Sequence, residues 1–257
     1  MGIKQLLINV LGEKRYLTLL AGTFQRLFPT GKLGILYQDT YFLKNMIGKG
    51  DYCVDIGAHL GYYTLEMSRL AGSEGKVIAV EPMPKFNAVL GKLLRRKRAD
   101  NVQLLQVALG GEGDFVEMGI PRIGKNKQFA YARVIRNDGQ FEYLESVKVR
   151  NESGDSLFLG LPRLDYIKCD VEGLEIQVFS SMMETLKKHR PVLLAELVAR
   201  DERIKLFDML RPLGYQPYLL QDGALKPLDL SSDRFPVSHN HYFIPKERLE
   251  RLKSVMG

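Results

Sequence analysis

Val54-Asp55-Ile56-Gly57-Ala58-His59-Leu60-Gly61-Tyr62-Tyr63-Thr64 decides the fold, because within it a buried strand turns through glycines into an amphipathic helix. Upstream, Tyr52 to Ile56 is a short apolar run after Gly48-Lys49-Gly50, which predicts a strand buried on both faces of a parallel sheet. Downstream, Leu60, Thr64, Leu65, Met67, Ser68 and Ala71 recur at helical spacing until Gly72, a predicted helix stop. Gly57 and Gly61 permit a tight turn. The free amides at the start of the helix carry a partial positive charge, which suits a carboxylate or a phosphate.

The 257 residues are 45% apolar, enough to bury one substantial core, and the length fits a single large α/β domain. No apolar run approaches the roughly 20 residues that span a bilayer, and the first residues lack the long apolar region and cleavage site of a signal peptide. A cytoplasmic location is therefore expected. Cys53 and Cys169 each fall within a predicted buried strand, where a reduced thiol acts as a small hydrophobe, so no disulfide is expected. The formal charge of +7 favours anionic partners but is also common on plain soluble proteins.

In chain order, residues 1–47 read as a helical cap before the main domain of residues 48–257: Leu6, Leu7, Val10 and Leu11, then Leu17, Leu19, Leu20, Phe24, Leu27 and Phe28, closed by Pro29 and Gly31. Two fates fit this amphipathic stretch with its Lys14, Arg15 and Arg26: packing against the core, which is commoner, or peripheral contact with a membrane. Lys76 to Glu81 is a second buried strand, and Pro82 and Pro84 set the turn into a helix over Phe86 to Arg98. The helix ends in Arg95-Arg96-Lys97-Arg98, either a solvated terminus that complements the dipole or an anion-binding patch. Val102 to Ala108 reads as a third strand.

From Phe115 to Arg150 alternating segments take over, separated by Gly124-Lys125-Asn126-Lys127 and Asn137-Asp138-Gly139. They predict β-hairpins inserted over residues 113–150, between the third and fourth core strands. Leu164 to Asp170, Pro191 to Leu197, Tyr215 to Leu220 and a closing His241 to Ile244 read as strands. Leu174 to His189, Asp201 to Leu213 and Lys246 to Val255 read as helices. Such alternation predicts a mostly parallel sheet covered on both faces.

Asp55, Glu81 and Asp170 each fall at the carboxyl end of a strand, where doubly wound sheets bind ligands. Glu81 follows Gly57 by 24 residues, near the roughly 20-residue spacing at which a strand-end carboxylate accepts hydrogen bonds from a ribose diol. A nucleoside is implied. Any one of these acids could merely cap the next helix, but coincidence of all three is harder to assign to capping alone. The dinucleotide fingerprint needs three glycines spaced G-x-G-x-x-G, and the pattern here is Asp55-x-Gly57-x-His59-x-Gly61.

That pattern resembles the D/E-x-G-x-G-x-G loop of S-adenosylmethionine-dependent methyltransferases, with His59 in place of the central glycine. Asp165-Tyr166-Ile167-Lys168-Cys169-Asp170-Val171-Glu172-Gly173-Leu174-Glu175 is similar to the hydrophobic-K-x-D-V-E-G-x-E signature of the FkbM family. Asp55 to Thr64 is similar to that family's D-I-G-A-N-x-G-Y-Y-T, with histidine where asparagine is usual. Val80-Glu81-Pro82, Ala108-Leu109-Gly110 and Pro191 to Glu196 add support. The resemblance covers about residues 50–245. It implies a Rossmann-like class I methyltransferase fold, α/β, with a seven-stranded mostly parallel sheet and an antiparallel last strand. It implies S-adenosyl-L-methionine as cofactor, held by Asp55, Gly57, Ala58, His59, Gly61, Glu81, Ala108 and Asp170. The implied reaction is O-methylation of a hydroxyl on a glycan, glycolipid or secondary metabolite.

A sulfonium already carries an activated methyl, so the enzyme must chiefly align an oxygen behind it and exclude water. Asp170 and Glu172 are the candidate catalytic acids: one could accept the hydroxyl proton or orient the acceptor, or both could serve as helix-cap and dipole partners. His59 could reach the methionine carboxylate or the acceptor. The insertion is expected to cover the carboxyl edge of the sheet and select the acceptor. Phe129, Tyr131, Phe141 and Tyr143 either stack on it or form the hairpins' own core, and Arg133 and Lys127 could attract an acidic group. His239 and His241 are too few to hold a metal, and no metal is expected. No Asn-Pro-Pro-aromatic signature of amino-directed nucleic-acid methyltransferases occurs, and nucleic acid is a secondary expectation. Two alternatives remain open, a basic RNA methyltransferase using Arg95 to Arg98 with Lys125 and Lys127, and a noncatalytic nucleoside-binding protein of the same fold.

Overall fold

Three helices come first, α1 (Ile3–Leu11), α2 (Glu13–Leu27) and α3 (Gln38–Met46). The sheet then begins with β1 (Tyr52–Ile56), α4 (Tyr62–Ala71), β2 (Lys76–Val80), α5 (Pro84–Lys97) and β3 (Val102–Leu105). A short β4 (Ala108–Leu109) leads into β5 (Phe115–Ile123), β6 (Asn126–Lys127), β7 (Arg133–Val134) and β8 (Glu142–Glu152). The chain returns through α6 (Gly154–Phe158) to β9 (Tyr166–Cys169), α7 (Glu175–Ser180), α8 (Met183–His189) and β10 (Val192–Glu196). It ends with α9 (Arg200–Leu210), β11 (Tyr215–Gln221), β12 (Ala224–Pro227) and β13 (Asn240–Pro245). This computed structural model describes residues 3–31, 33–34, 37–124, 126–136, 139–229 and 239–256. Lys125 and the Asn137-Asp138 turn named above lie outside the described residues.

The main sheet runs in the order β12-β11-β13-β10-β9-β1-β2-β3. Strands β3, β2, β1, β9 and β10 pair in parallel, and β13 enters antiparallel between β10 and β11. The predicted mostly parallel sheet with an antiparallel last strand is present, but among the described residues it has eight strands where seven were expected. The extra one, β12, folds back on β11 through Asp222 and Gly223, whose φ values of 53° and 79° give the left-handed pair of a type I′ turn.

Three other expectations are corrected. The third strand stops at Leu105, and Ala108–Leu109 departs to pair with β8 in a second sheet, where β5 and β8 form a long antiparallel hairpin. The helix expected over Leu174 to His189 breaks at Ser181 and Met182, because Asp155 accepts from the Glu184 and Thr185 amides at 3.2 and 2.7 Å and starts α8 as a separate helix. The closing helix is instead a pair of 3-10 turns, Lys246–Arg248 and Glu250–Val255. Arg248 and Arg251 of these turns bond Asp165 and Asp51 at the amino ends of the strands.

Side chains alternate across the sheet as a strand's period of two requires. Val54 and Ile56 enter a core with Ile167, Leu193 and Phe243, whereas Cys53 faces a second one with Val77, Tyr166 and Leu194. A third cluster joins Leu17 and Ala21 of α2, Phe86 and Leu90 of α5, and Val116 and Met118 of β5. The first helices and the insertion therefore share buried surface with the sheet's own covering helix.

Gly57 sits where β1 leaves the sheet, with φ 77°, and a Cβ there would overlap the carbonyl oxygen of Asp170 on β9's end. Gly57→Ala should therefore lower folding stability by about 2–4 kcal/mol through left-handed strain and overpacking together. Denaturant titration checks it, and an unchanged midpoint would show that the two strand ends are free to separate.

Candidate functional site

The parallel register aligns the carboxyl ends of the central strands. Ile56 pairs with Val80 and with Cys169, and Cys169 pairs with Ala195. The next residue on each strand is Gly57, Glu81, Asp170 or Glu196, so three carboxylates fall in one row beside a glycine that lets the backbones close up. Two residues back in β9, Lys168 pairs in register with Asp55 and rises on the same face as Asp170.

Lys168 is buried, and its Nζ lies 3.2 Å from Asp170 Oδ2 and 3.8 Å from Asp55 Oδ1. It also donates to the Gly57 carbonyl at 3.3 Å and stands 5.2 Å from the Tyr63 ring centre. Burial opposes its charge, but Asp170 and Asp55 more than offset this and raise its pKa. Burial likewise pushes Asp170 up, and the Lys168 ammonium outweighs it and holds Asp170 below the usual carboxylate range. The ligand oxygens of Asp170, Glu172 and Glu196 all lie within 4.8 Å of one another. Burial and then the Asp170 charge push Glu196 up to about 9, and the shared proton resides on Glu196. Glu172 is raised to about 7 by burial and Asp170, against its 2.7 Å pair with Arg133. These three carboxylates are a possible cation-ligand geometry, but Lys168 and Arg133 already stand against two of them.

The loop after β1 turns by two left-handed residues, Gly57 and His59, with φ 77° and 47°, before Gly61 caps α4 with φ 80°. Glu81 fixes it: Oε2 accepts from the His59 amide at 2.7 Å and Oε1 from the Met83 amide at 2.8 Å. Burial nevertheless raises Glu81 to about 7. Each oxygen keeps a further lone pair for a ligand hydroxyl. The His59 ring packs edge-on to Phe86 at 4.4 Å, and its Nε2 is buried without a hydrogen-bond partner. Burial lowers its pKa to about 4, against the pull of Asp170, so the ring is neutral at pH 7.

A cavity of about 350 Å³ lies over this row, walled by Gly57, Ala58, His59, Glu81, Ala108, Asp170, Glu172 and Glu196. The insertion roofs it with Met118, Val134 and the Phe129 to Ala132 turn. Arg133 binds Glu172 and Arg136 donates to the Gly173 carbonyl, tying roof to floor. A larger open depression of about 1290 Å³ lies at the opposite end of the sheet, near Glu66, Lys76 and Asp100. It gathers none of the strand-end carboxylates, and doubly wound sheets take ligands at their carboxyl ends, so the roofed cavity is the candidate site.

Of the residues singled out from sequence, Gly57, Ala58, His59, Glu81, Ala108, Asp170 and Glu172 reach this cavity. Asp55 and Gly61 stand behind its wall. Asp55 is fully buried and accepts from the Thr64 hydroxyl at 2.5 Å, and Gly61 backs onto Leu90. Phe129 and Tyr131 face the cavity, whereas Phe141 and Tyr143 pack at 6.4 Å from each other on the hairpin. Lys127 is paired with Glu13 and Glu145, and Arg133 with Glu172. Sequence reasoning assigned no role to Lys168 or Glu196. The strand-end rule that singled out Asp55, Glu81 and Asp170 also applies to Glu196, which ends β10.

The Methyltransferase FkbM domain profile matches residues 55–217, more than half of the chain. The chain belongs to the FkbM methyltransferase family. Its residues 55–217 form a methyltransferase domain. Among solved structures, the methyltransferase FkbM of Methylobacillus flagellatus KT aligns with a TM-score of 0.48 and 17% identity over 75% of this chain and 43% of that one. A SAM-dependent O-methyltransferase of Thermotoga maritima aligns with a TM-score of 0.46 and 16% identity, over 86% of this chain and 69% of that one. Aeropyrum pernix fibrillarin, solved with natively bound S-adenosyl-L-methionine, aligns at 0.44 and 14% identity, over 80% and 72% respectively. No curated protein matches the chain.

The methyltransferase's charge pattern sets two expectations. Glu81, Glu172 and Glu196 keep protons in the fold that they release when unfolded, so the stability they contribute is present at low pH and lost as pH rises through about 7 and about 9. Between about pH 6.5 and 8.5 the stability of the ligand-free protein should fall, and Glu196→Gln should flatten the decline by up to about 1.4 kcal/mol per pH unit. Equal slopes in denaturant titrations of the two proteins would rule out a proton held by Glu196. Secondly, a neutral His59 gives cofactor affinity no histidine-like step between about pH 5.5 and 8. A step in that range that disappears in His59→Asn would show a charged role instead.

Proposed function

We propose that this methyltransferase acts on a hydroxyl oxygen of a glycan, glycolipid or secondary metabolite. The observation that carries the reading is the graded set of carboxylates on the cavity floor: an anionic Asp170, a Glu172 poised near 7, and a protonated Glu196, all within 4.8 Å. An oxygen acceptor needs a proton acceptor as its bond to carbon forms, and environments that push neighbouring acids apart assign the roles.

The cavity fits the family's cofactor on this chain's own features. Glu81 keeps lone pairs for a ribose diol, and His59 Nε2 is an unpartnered donor or acceptor in the wall. When bound, the cofactor supplies an activated methyl on a sulfonium. The protein then has to place the hydroxyl and take its proton. Asp170, with 34% of its side chain open and its charge fixed by Lys168, accepts a hydrogen bond from a second donor group of the acceptor and so orients it, leaving the reacting hydroxyl's proton to Glu172. Glu172 is the better base, since its pKa near 7 matches neutral operation. Its φ of 60° is the kind of backbone strain that clusters at working sites. Glu196, as a neutral acid, donates to Asp170 and keeps that carboxylate from rotating away. Met118, Phe129 and Val134 of the roof keep water from the floor.

The test has two arms. In calorimetric titration with S-adenosylmethionine, Glu81→Ala should weaken binding by about 1–3 kcal/mol, the usual cost of a lost charge-assisted hydrogen bond, and unchanged affinity would remove Glu81 from the cofactor site. In a labelled-methyl screen of cell extract, Glu172→Gln should bind cofactor normally yet transfer methyl about 10²–10⁴-fold more slowly. Label recovered on nitrogen rather than oxygen would overturn the assignment of acceptor.

A further inference from the structure

No helix of the described residues is long and apolar enough to cross a membrane, yet one face of the molecule has the chemistry of a membrane surface binder. A groove of about 350 Å³ runs between α2 and the second half of α5. Arg15, Arg26, Lys92, Arg96 and Lys97 line it, and no acidic residue does. Among the described residues none of the five is ion-paired, whereas Glu13 in the first turn of α2 is already held by Lys85 and Lys127. Such a face has a field that only an anionic partner can neutralise.

Aliphatic side chains decide what kind of anion. Leu19, Leu20 and Leu27 of α2 are 52%, 40% and 42% exposed; Leu19 lies in the groove between Arg15 and Arg26, and Leu20 and Leu27 stand on the adjoining flank, about 100° further round the helix. The side of the helix opposite the groove is spent on the core, through buried Leu17, Ala21 and Phe24. A surface for single-stranded nucleic acid interleaves its cations with aromatic rings for base stacking, and no aromatic residue lines this groove. Exposed leucines between arginines instead match a helix lying in a bilayer interface, apolar groups in the acyl boundary and cations at the headgroups.

We propose that the face of α2 and the end of α5 docks on an anionic phospholipid surface, with Leu19, Leu20 and Leu27 entering the headgroup layer and the five cations meeting lipid phosphates. Docking there reaches the roof of the cavity, because α2 begins at the Glu13 pair with Lys127, and Lys4 of α1 donates to the Lys127 carbonyl and stands 5.5 Å from the Phe129 ring centre. The inference does not depend on the identity of the methyl acceptor.

Co-sedimentation of the whole protein with vesicles tests it. The protein should pellet with phosphatidylglycerol-containing vesicles, stay in solution with phosphatidylcholine alone, and release as salt rises. A combined Arg15→Glu, Arg26→Glu, Lys92→Glu and Arg96→Glu variant should partition at least about 100-fold more weakly, since each lost cation alone is a factor of about five. The pair Leu19→Ser and Leu27→Ser keeps every charge and should still lose about tenfold. All these positions are exposed or line an open groove, and unchanged melting and S-adenosylmethionine binding verify that each variant is folded. Equal pelleting with both vesicle types, or a charge-reversed variant that pellets like the parent, would overturn the proposal. So would a leucine variant with undiminished vesicle binding, or tighter retention on RNA than on anionic vesicles, which would assign the face to a polyanion.

Discussion

The ammonium of Lys168 is the charge on which the carboxyl end of this sheet depends. Parallel pairing in register brings Asp55, Glu81, Asp170 and Glu196 to one end of four neighbouring strands, and Glu172 follows in the next loop. So many acids in a poorly solvated space cannot all ionise. One buried cation keeps Asp170 below the usual carboxylate range and only partly offsets the burial that raises Asp55, and the remaining acids respond by holding protons: Glu81 and Glu172 near 7, Glu196 near 9. Taking the ammonium away would leave buried charge uncompensated, a larger loss than the pair's own attraction contributes. The graded acidity that makes the site chemically capable is thus the by-product of a structural problem, the crowding of carboxylates at aligned strand ends.

Glycine at position 57 is the geometric partner of that charge. It lets the β1 loop meet the Asp170 backbone, so that the Lys168 side chain can reach both the Gly57 carbonyl and Asp170. Around this floor the remaining elements act as cover. The insertion leaves the sheet at Ala108–Leu109, returns along β8, and is pinned by the Arg133 pair with Glu172 and by a four-charge cluster of Glu13, Lys85, Lys127 and Glu145. These last pairs are partly exposed and each contributes little to stability, but together they set the orientation of the roof relative to α2 and α5. The N-terminal helices reach the site through this roof and also directly, where Phe24 of α2 packs 4.0 Å from the Tyr62 ring in the cavity wall.

Much of this was legible in the chain itself. The run from Tyr52 to Thr64 announced strand, turn and helix because burial on both faces leaves a continuous apolar stretch and helical spacing follows at once. The stop at Gly72 is real, with φ 67° and its amide bonded to Ser68. Alternation from Phe115 to Arg150 announced hairpins. Other features were illegible for identifiable reasons. The Asp222-Gly223 turn carried a hairpin signal, but β12 is too short and polar to read as a strand. The break between α7 and α8 is imposed from outside, by Asp155 of α6, and no helix-stop residue marks it. The tail reads as a helix by spacing, whereas Arg248 and Arg251 are drawn into ion pairs with Asp165 and Asp51 that a regular helix does not serve.

What the sequence determined by itself was local: which segments alternate at a period of two or 3.6, where glycines allow a turn, and which acids end apolar strands. Those depend on neighbours a few residues away, and they were enough to single out the carboxyl end of the sheet as the candidate site, while the motifs around Asp55 and Asp170 carried the resemblance to the family. Only the tertiary structure decided which of the acids work together. Asp55, read as a ligand contact, is turned inward to Thr64 and Lys168, while Glu196, given no role, stands beside Asp170 on the cavity floor. The reason is strand register. Residues separated by tens of positions become neighbours through backbone pairing across the sheet, and whether a carboxylate there is charged, protonated or buried follows from the partners that pairing supplies.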